Sequence, residues 1–326
     1  MRETPLTRQL GIRVPLICGA MYPCSNPELV AAVSDAGGIG IVQPLSMVYV
    51  HGRELREGLR WIRAHSSGPI GFNALLERTS RVYERRMMGW IDLALEEGVR
   101  FFVTALGKPD PVVERVHAAG GLVYHDVTTR RWARKALDGG VDGLICVNSR
   151  AGGHSGELEP QALLDELRDL GAPLICAGGI GDERRFVEAL EMGYDGAQLG
   201  TRFIATRECR AHEDYKKAIV RADAGDIVRT ERLSGVPCSV IRTPAVDRLG
   251  TRAGPLTRRL LRGRWTKRLV RTLYGLRSLR RLRAASLRGT AYRDLFLAGK
   301  SVEGVDRVET AGEVVRRFAA ALQRQP

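Results

Sequence analysis

Short apolar segments alternate with helix-length amphipathic segments eight times within the first 200 residues, and this alternation limits the fold more than any other feature. The apolar segments lack a polar face, as is typical of parallel strands that are buried on both sides. Each connecting segment is long enough for the crossover that two parallel strands require. The predicted strands are 14–20, 39–42, 70–75, 100–106, 122–127, 141–147, 173–179 and 194–200.

Eight such units predict an α/β fold, the TIM (β/α)8 barrel. A doubly wound sheet is the alternative, because "GGIGIV" at 37–42 resembles half of a dinucleotide-binding glycine motif. That motif needs a third glycine, and it follows a strand, whereas these glycines precede one. The barrel is therefore the preferred prediction.

Three segments are expected along the chain. Residues 1–224 form the barrel core, 225–293 form a basic, mainly helical insert after strand eight, and 294–326 supply the helix that closes the barrel. Thr310 and Glu313 have the spacing of a capping box at the start of that last helix.

The predicted insert accounts for the net positive charge of the whole protein, which is +14 at pH 7. Residues 248–293 hold 15 Lys or Arg and no acidic residue, which leaves 36 of the 51 basic residues against all 37 acidic residues elsewhere. Leucines and Trp265 recur every three to five positions in 255–289, which predicts one or two amphipathic basic helices. Such helices suit a lid over the barrel, an anionic membrane surface or an acidic protein partner such as an acyl-carrier protein. Few aromatic residues argue against nucleic acid.

The patterns of cysteine, histidine and apolar residues narrow the class of protein further. The six cysteines are scattered without a C-x-x-C pair, and the six histidines lack H-E-x-x-H spacing, so we expect buried thiols and no metal. No apolar run approaches the length of about 18 residues that a membrane span needs. The start of the chain lacks the apolar region of a secretory signal. The expected location is cytoplasmic, with peripheral attachment at the inner membrane face as an extension.

Glycine-rich loops follow the last two predicted strands, where TIM barrels commonly bind phosphate. Gly178 and Gly179 follow strand seven, and Gly200 and Thr201 follow strand eight. Exposed backbone N–H groups at a helix start bind a dianion without lysine. The alternative is that these glycines only shape tight turns. Their presence in both loops favours a phosphate-bearing ligand.

Several motifs resemble the nitronate monooxygenase (2-nitropropane dioxygenase) family: "GAMYPCSNPELVAAVSDAGGIG", "GFNAL", "AGGHSG", "APLICAGGIGDERRFVEALEMGYDGAQLGTRFIAT" and "YKKAI". The resemblance covers about residues 10–220 and the last 30. It implies a TIM barrel that binds FMN and an oxidoreductase activity. The family also includes enoyl-acyl-carrier-protein reductases and NADH:quinone reductases.

The resemblance assigns roles residue by residue. His154, in "AGGHSG", would stand beside the flavin and orient or deprotonate the substrate, although a buried structural histidine is the alternative. The remaining assignments are FMN phosphate for Gly178, Gly179, Gly200 and Thr201; the flavin ring for Ala20, Met21 and Asn73; the ribityl chain for Gln198; and substrate for Arg150 and Ser155. Core packing is the alternative for Met21.

Two residues depart from the pattern of similar proteins. Asp126 stands where they often have lysine, and Arg150 stands where they often have an acidic residue. A negative charge near the flavin disfavours its anionic reduced form. Arg150 either attracts an anionic substrate or forms a surface salt bridge.

The expected function is an FMN-dependent nitronate monooxygenase, which oxidises alkyl nitronates with O2 to a carbonyl compound and nitrite. The alternative is an NAD(P)H-dependent flavin reductase acting on quinones or enoyl thioesters. A barrel without activity that docks on a membrane is a third interpretation. A homodimer is compatible with all three.

Overall fold

The computed structural model describes residues 3–75, 81–232, 237–251 and 295–324. Eight parallel strands form a closed barrel in sequence order. Leu16 in the first strand pairs with Ala197 in the last, and Ile17 pairs with Ile39 in the second, so no strand edge is left open. The TIM-barrel prediction is confirmed. The strands are β1 Leu16–Cys18, β2 Ile39–Val42, β3 Ile70–Leu75, β4 Phe101–Ala105, β5 Leu122–Val127, β6 Gly143–Val147, β7 Leu174–Ala177 and β8 Gly196–Leu199.

Helices cover the outside of the barrel. In the described ranges they are α1 Pro5–Leu10, α2 Pro27–Asp35, α3 Leu55–His65, α4 Arg81–Glu96, α5 Asp110–Ala118, α6 Arg130–Asp138, α7 Pro160–Leu167, α8 Glu183–Met192, α9 Thr201–Ile204, α10 Glu213–Arg221, α11 Pro244–Leu249 and α12 Ala311–Gln323. A π-helical turn covers Ser46–Val50, and 3-10 turns cover Arg168–Leu170, Ala224–Asp226 and Lys300–Gly304.

Alternate residues of each strand face two separate apolar layers. Ile17, Phe101 and Ile145 belong to the cluster inside the barrel, whereas Phe72 and Val123 belong to the layer between strands and helices. Both layers are buried, which explains why the strands read as continuous apolar runs. Burial of this surface is the main favourable term in the folding free energy.

The short helix α1 closes the amino-terminal end of the barrel. Leu6 is fully buried within the inner cluster. A Cβ added to Gly196 would lie 2.5 Å from Leu6 Cδ2, so β8 needs glycine at this point. The Tyr124 hydroxyl donates a hydrogen bond to Gln9 Oε1 at 2.5 Å. With this end plugged, the opposite rim is where a ligand can enter.

The segment after the barrel contains two strands that were not predicted from the sequence. β9 (Ile227–Thr230) and β10 (Cys238–Ile241) form a two-stranded antiparallel sheet. Val240 also bridges to Leu297, so the sheet lies against the chain that follows the basic segment. The expected helices at 255–289 lie outside the described residues.

The last helix begins as the sequence predicts. Glu313 N donates to Thr310 Oγ1 at 3.1 Å, and Thr310 N donates to Glu313 Oε2 at 2.8 Å. Phe318 of α12 packs against Phe186 of α8, with ring centroids 5.2 Å apart. This contact fixes α12 on the barrel wall.

All six cysteines are buried, and none of them forms a disulfide bond. Among the described residues, no helix combines the length and the apolar character that crossing a membrane would require. Within the same ranges, His, Cys, Asp and Glu side chains form no group of three or more that could hold a metal ion.

Gly40 offers a test of the contact between β2 and α2. A Cβ at Gly40 would lie 2.6 Å from Val30 O, which is backbone and cannot rotate away. We expect Gly40→Ala to lower the free energy of unfolding by about 1–3 kcal/mol, the usual cost of overpacking. Gly89→Ala is the matched control in α4, because no atom lies within 4 Å of its added Cβ. It should stabilise by about 0.5–1 kcal/mol. Urea unfolding of both variants measures the difference, and equal effects would refute the assigned packing.

Candidate active site

His154 lies on the loop that follows β6, and its side chain is exposed. The glycines around it have separate structural reasons. A Cβ at Gly152 would lie 2.8 Å from Gly299 N, and one at Gly156 would collide with Val147 O. Gly153 has open space but a φ of +65°, which side chains rarely adopt. Close backbone packing and one left-handed residue therefore account for this glycine-rich loop.

The β10 strand holds the His154 loop in place. Ser239 N donates to Gly153 O at 2.7 Å, and Gly153 N donates to Ser239 O at 3.3 Å. The hydroxyl oxygens of Ser155 and Ser239 lie 3.2 Å apart. Ser155 was predicted to bind substrate, and the structure places it in this contact. Ser239 was not predicted, because nothing in its local sequence distinguishes it.

The glycine pair after β7 is fixed by a buried asparagine. Gly178 and Gly179 have φ values of +121° and +82°. Asn148 Nδ2 donates to Gly178 O at 3.1 Å, and its Oδ1 accepts from Arg150 N at 2.9 Å. A Cβ at Gly178 would lie 2.5 Å from both Asn148 Oδ1 and Ala151 N. Asn148 was not predicted, although it follows an apolar strand just as Asn73 ends one.

Arg150 lies beside this glycine pair and is ion-paired. Its Nη2 is 3.1 Å from Glu303 Oε2, and its Nη1 is 3.9 Å from Glu159 Oε2. A Cβ at Gly179 would lie 2.7 Å from Arg150 Nε. The salt bridge that the sequence allowed for Arg150 is present. Glu303 and Glu159 balance the charge of Arg150, and the Arg150 side chain packs against the predicted phosphate loop.

Gly200 and Thr201 open the short helix α9 on the neighbouring side of the rim. Thr201 is buried, and its Oγ1 accepts a hydrogen bond from Gly299 N at 3.1 Å. Its own hydroxyl proton is still available to donate. A Cβ at Gly200 would lie 3.5 Å from Met21 Sδ, so the β1 loop and the β8 loop meet here.

The segment Gly299–Gly304 joins the β6, β7 and β8 loops. Lys300 N donates to Arg150 O at 2.8 Å, while Gly299 N bonds Thr201. The carbonyl of Ser301 occupies the space that a Cβ on Gly181 would need. Apart from the bond to the Thr201 hydroxyl, these contacts join backbone atoms, so the loops tolerate little beyond glycine where they touch.

Polar side chains replace apolar ones in the part of the barrel interior nearest the rim. Asn73 pairs in register with Val103, Asp126 with Ile145, and Gln198 with Ile17. All three partners belong to the inner cluster, so these polar residues also face the barrel axis. Ala20 packs on the same cluster at the end of β1.

Asp126 and Gln198 each keep an oxygen without a partner. Asp126 Oδ1 and Gln198 Oε1 are buried and make no hydrogen bond to the described residues. Burial raises the pKa of the Asp126 carboxyl to about 7, and a hydrogen bond from the Gln198 side chain opposes this rise in part. Buried unpaired acceptors of this kind are rare and usually mark a ligand, water or a functional group.

His125 precedes Asp126 but faces the other way. Its Nδ1 lies 2.8 Å from Thr104 Oγ1, in the layer between strands and helices. Burial lowers the pKa of His125 to about 4, so the ring is neutral at physiological pH. It supports the wall of the barrel and does not face the site.

The rim therefore combines an exposed histidine, two glycine loops and unpaired inward acceptors. The family model described as nitronate monooxygenase matches residues 3–320 of this chain. The chain belongs to the nitronate monooxygenase family. It is accordingly an FMN-dependent oxidoreductase, as the sequence motifs indicate.

Proteins similar to this chain carry names that denote different activities. The nitronate monooxygenase of Pseudomonas aeruginosa is 29% identical over 274 residues, covering 70% of this chain and 77% of that protein. A (3aS,4S,5R,7aS)-5-hydroxy-7a-methyl-1-oxo-octahydro-1H-indene-4-carboxyl-CoA dehydrogenase of Mycobacterium tuberculosis is 31% identical over 257 residues, covering 77% and 70%. The structure of FabK from Thermotoga maritima superposes with a TM-score of 0.78 at 27% identity, covering 99% and 97%.

Gly178→Ala tests the geometry of the β7 loop. The added methyl would collide with Asn148 and Ala151 at a residue whose φ is +121°, so the loop must move. We expect flavin affinity to fall at least tenfold, measured by fluorescence titration of the apoprotein with FMN. Gly171→Ala is the control, because it also has a positive φ but open space and lies at the other end of β7. Equal affinity of the two variants would exclude this loop from flavin binding.

Proposed function

We propose that this protein is an FMN-dependent monooxygenase that oxidises alkyl nitronates with O2 to a carbonyl compound and nitrite. The observation that carries the proposal is the exposed His154 in an A-G-G-H loop, held at the rim of the barrel by β10. The family model over residues 3–320 supports it. His154 is then the residue that meets the substrate.

The described residues fit a flavin. Unpaired acceptors on Asp126 and Gln198 need donors, and the ribityl hydroxyls and ring N–H of a flavin are donors. In this assignment the Thr201 hydroxyl donates its proton to the phosphate, and backbone N–H groups of the β7 and β8 loops donate beside it. We assign the phosphate to Gly178, Gly179, Gly200 and Thr201, the ring to Ala20, Met21 and Asn73, and the ribityl chain to Gln198.

The flavin would supply the one-electron chemistry with the nitronate and O2. The chain supplies position and charge. His154 donates a hydrogen bond to the nitronate anion, or takes the carbon-bound proton of the corresponding neutral nitroalkane, as a histidine side chain can do. Ser155, fixed by Ser239, offers a second hydroxyl beside it. Arg150 adds positive charge near the phosphate loop, although Glu303 balances much of it.

A flavin reductase is the second candidate. Its support is the FabK structure, which covers 99% of this chain, and the CoA-ester dehydrogenase among the relatives. In this case NADH or NADPH would reduce the flavin, and a quinone or enoyl thioester would accept the electrons. The exposed rim around His154 would bind that acceptor.

An anaerobic spectrum separates the two candidates. We expect propionate 3-nitronate to reduce the bound flavin by one electron, with no change after NADH or NADPH. Rapid bleaching by either nicotinamide, with no reaction of the nitronate, would replace the monooxygenase with the reductase.

His154→Asn provides the matched variant in that experiment. Its FMN content should equal that of the wild type, because the loop contacts use backbone atoms of Gly153. The rate constant with nitronate should fall about 10²–10⁴-fold, the usual contribution of general acid–base catalysis. An unchanged rate would remove His154 from the mechanism.

We also propose that the basic segment 255–289 binds anionic membrane surfaces. Each Lys or Arg near such a surface contributes about 1 kcal/mol. The protein should float with vesicles that contain phosphatidylserine and stay behind with purely phosphatidylcholine vesicles. Replacing Arg258, Arg259, Arg262 and Arg264 with Gln should weaken the binding at least tenfold. Flotation that is equal with both vesicle types would contradict an electrostatic contact.

A further inference from the structure

Asp126 and Gln198 form a polar pair in the barrel interior near the rim, where Asn73 is a third inward-facing polar residue. Asp126 is the last inward-facing residue of β5, beside Ile145 of β6. Gln198 occupies the corresponding place in β8, beside Ile17 of β1 and Ala177 of β7. The Gln198 side chain also rests on the bare Cα of Gly19, where an added Cβ would lie 2.9 Å from Gln198 Cγ. Packing therefore holds the amide in place.

No cation compensates the carboxyl among the residues that the structure describes. Neighbouring β4 ends in Ala105, and β6 places Ile145 beside Asp126, whereas Cys146 belongs to the layer between strands and helices. On β5, Tyr124 lies one layer deeper and His125 faces outward. Gln198 is the described group that favours the charged carboxylate, through one hydrogen bond.

These surroundings make the neutral carboxyl the easier form to bury. A carboxylate taken out of water without a cation is costly, and in practice such a group takes up a proton instead. A second negative charge close by would raise the pKa of Asp126 further, for the same electrostatic reason. The pair lies directly beneath the rim where the flavin loops meet.

We propose that Asp126 is a positioning residue that takes up one proton from solvent whenever negative charge is placed on the flavin. Hydronium or a buffer acid gives up the proton as its own bond to hydrogen breaks, and the carboxylate oxygen forms the new O–H bond. The negative charge lost from Asp126 equals the negative charge placed on the ring, so the net charge of the site is unchanged. The neutral carboxyl then stands beside the charged ring. The proposal rests on the flavin cofactor, not on nitronate as the substrate.

Sulfite binding to the holoenzyme tests this coupling. Sulfite adds to N5 of a protein-bound flavin with its own electron pair, bleaches the visible band and leaves a negative charge on the ring. We would measure its Kd between pH 5.5 and 9 for wild type and for Asp126→Asn, which is isosteric and neutral throughout. The ratio of the two Kd values cancels the titration of sulfite itself.

The direction of the expected pH dependence follows from the linkage between sulfite binding and protonation of Asp126. Below the pKa of Asp126 the proton is already bound, so the ratio of wild-type to variant Kd should be constant. Above it, sulfite binding must take up a proton, and the wild-type Kd should rise relative to the variant by up to tenfold per pH unit. A ratio that stays constant from pH 5.5 to 9 would overturn the proposal.

Gln198→Leu gives a second, directional readout. Removing the amide hydrogen bond raises the pKa of Asp126, so the onset of the pH dependence should move to higher pH. A merely structural role for the pair would change the Kd equally at all pH values. If Asp126→Asn fails to retain flavin, the shift in Gln198→Leu decides the matter, and an unshifted onset refutes the coupling. Sulfite needs neither nitronate nor nicotinamide, so this test stands whichever proposed reaction holds.

Discussion

Closure of the barrel between β1 and β8 is the constraint on which the rest of the structure depends. β1 has three residues, yet it pairs with β2 on one side and β8 on the other. A closed parallel barrel brings all eight carboxyl ends to one rim, and α1 plugs the opposite end with Leu6. Loops that are far apart in sequence therefore meet, and chemistry is confined to one face.

Backbone packing at that rim explains why the functional loops are rich in glycine. The segment Gly299–Gly304 contacts the loops after β6, β7 and β8 through main-chain atoms. Gly152, Gly178 and Gly181 each face backbone or a buried side chain at distances that a Cβ would not allow. In the proposed flavin site, the rim glycines thus serve the fit between loops as well as the approach of a ligand. The segment that enforces this fit follows the basic residues in the chain.

Two charged residues determine the electrostatics of the rim. Arg150 is neutralised by Glu303 and lies against Gly179. Asp126 faces the barrel axis with its Oδ1 buried, and no cation among the described residues compensates its carboxyl. The site therefore lacks a fixed inward positive charge in the part that the structure describes. In our proposal, protonation of Asp126 accommodates negative charge there, because it removes the carboxylate charge without a large movement.

The sequence by itself determined the barrel, the strand positions to within a few residues, and the glycine loops after β7 and β8. It also located the start of α12 through Thr310 and Glu313, because helix caps and apolar runs depend on neighbours along the chain. The sequence around Asn26 does not show which groups the Asn26 side chain contacts. This residue is the N-cap of α2, but its side chain bonds Glu28 and the carbonyl of Glu208.

Only the tertiary structure decided how the site is assembled. Ser239 reaches the His154 loop across 84 residues, Gly299 reaches Thr201 across 98, and Asn148 fixes Gly178 across 30. The β9–β10 pair could not be predicted from the sequence either, since two four-residue strands carry little periodicity of their own. Periodicity reports which face of an element is buried, but it carries no information on which distant backbone fills the space. That choice is made by barrel closure and by the steric limits at a few glycines.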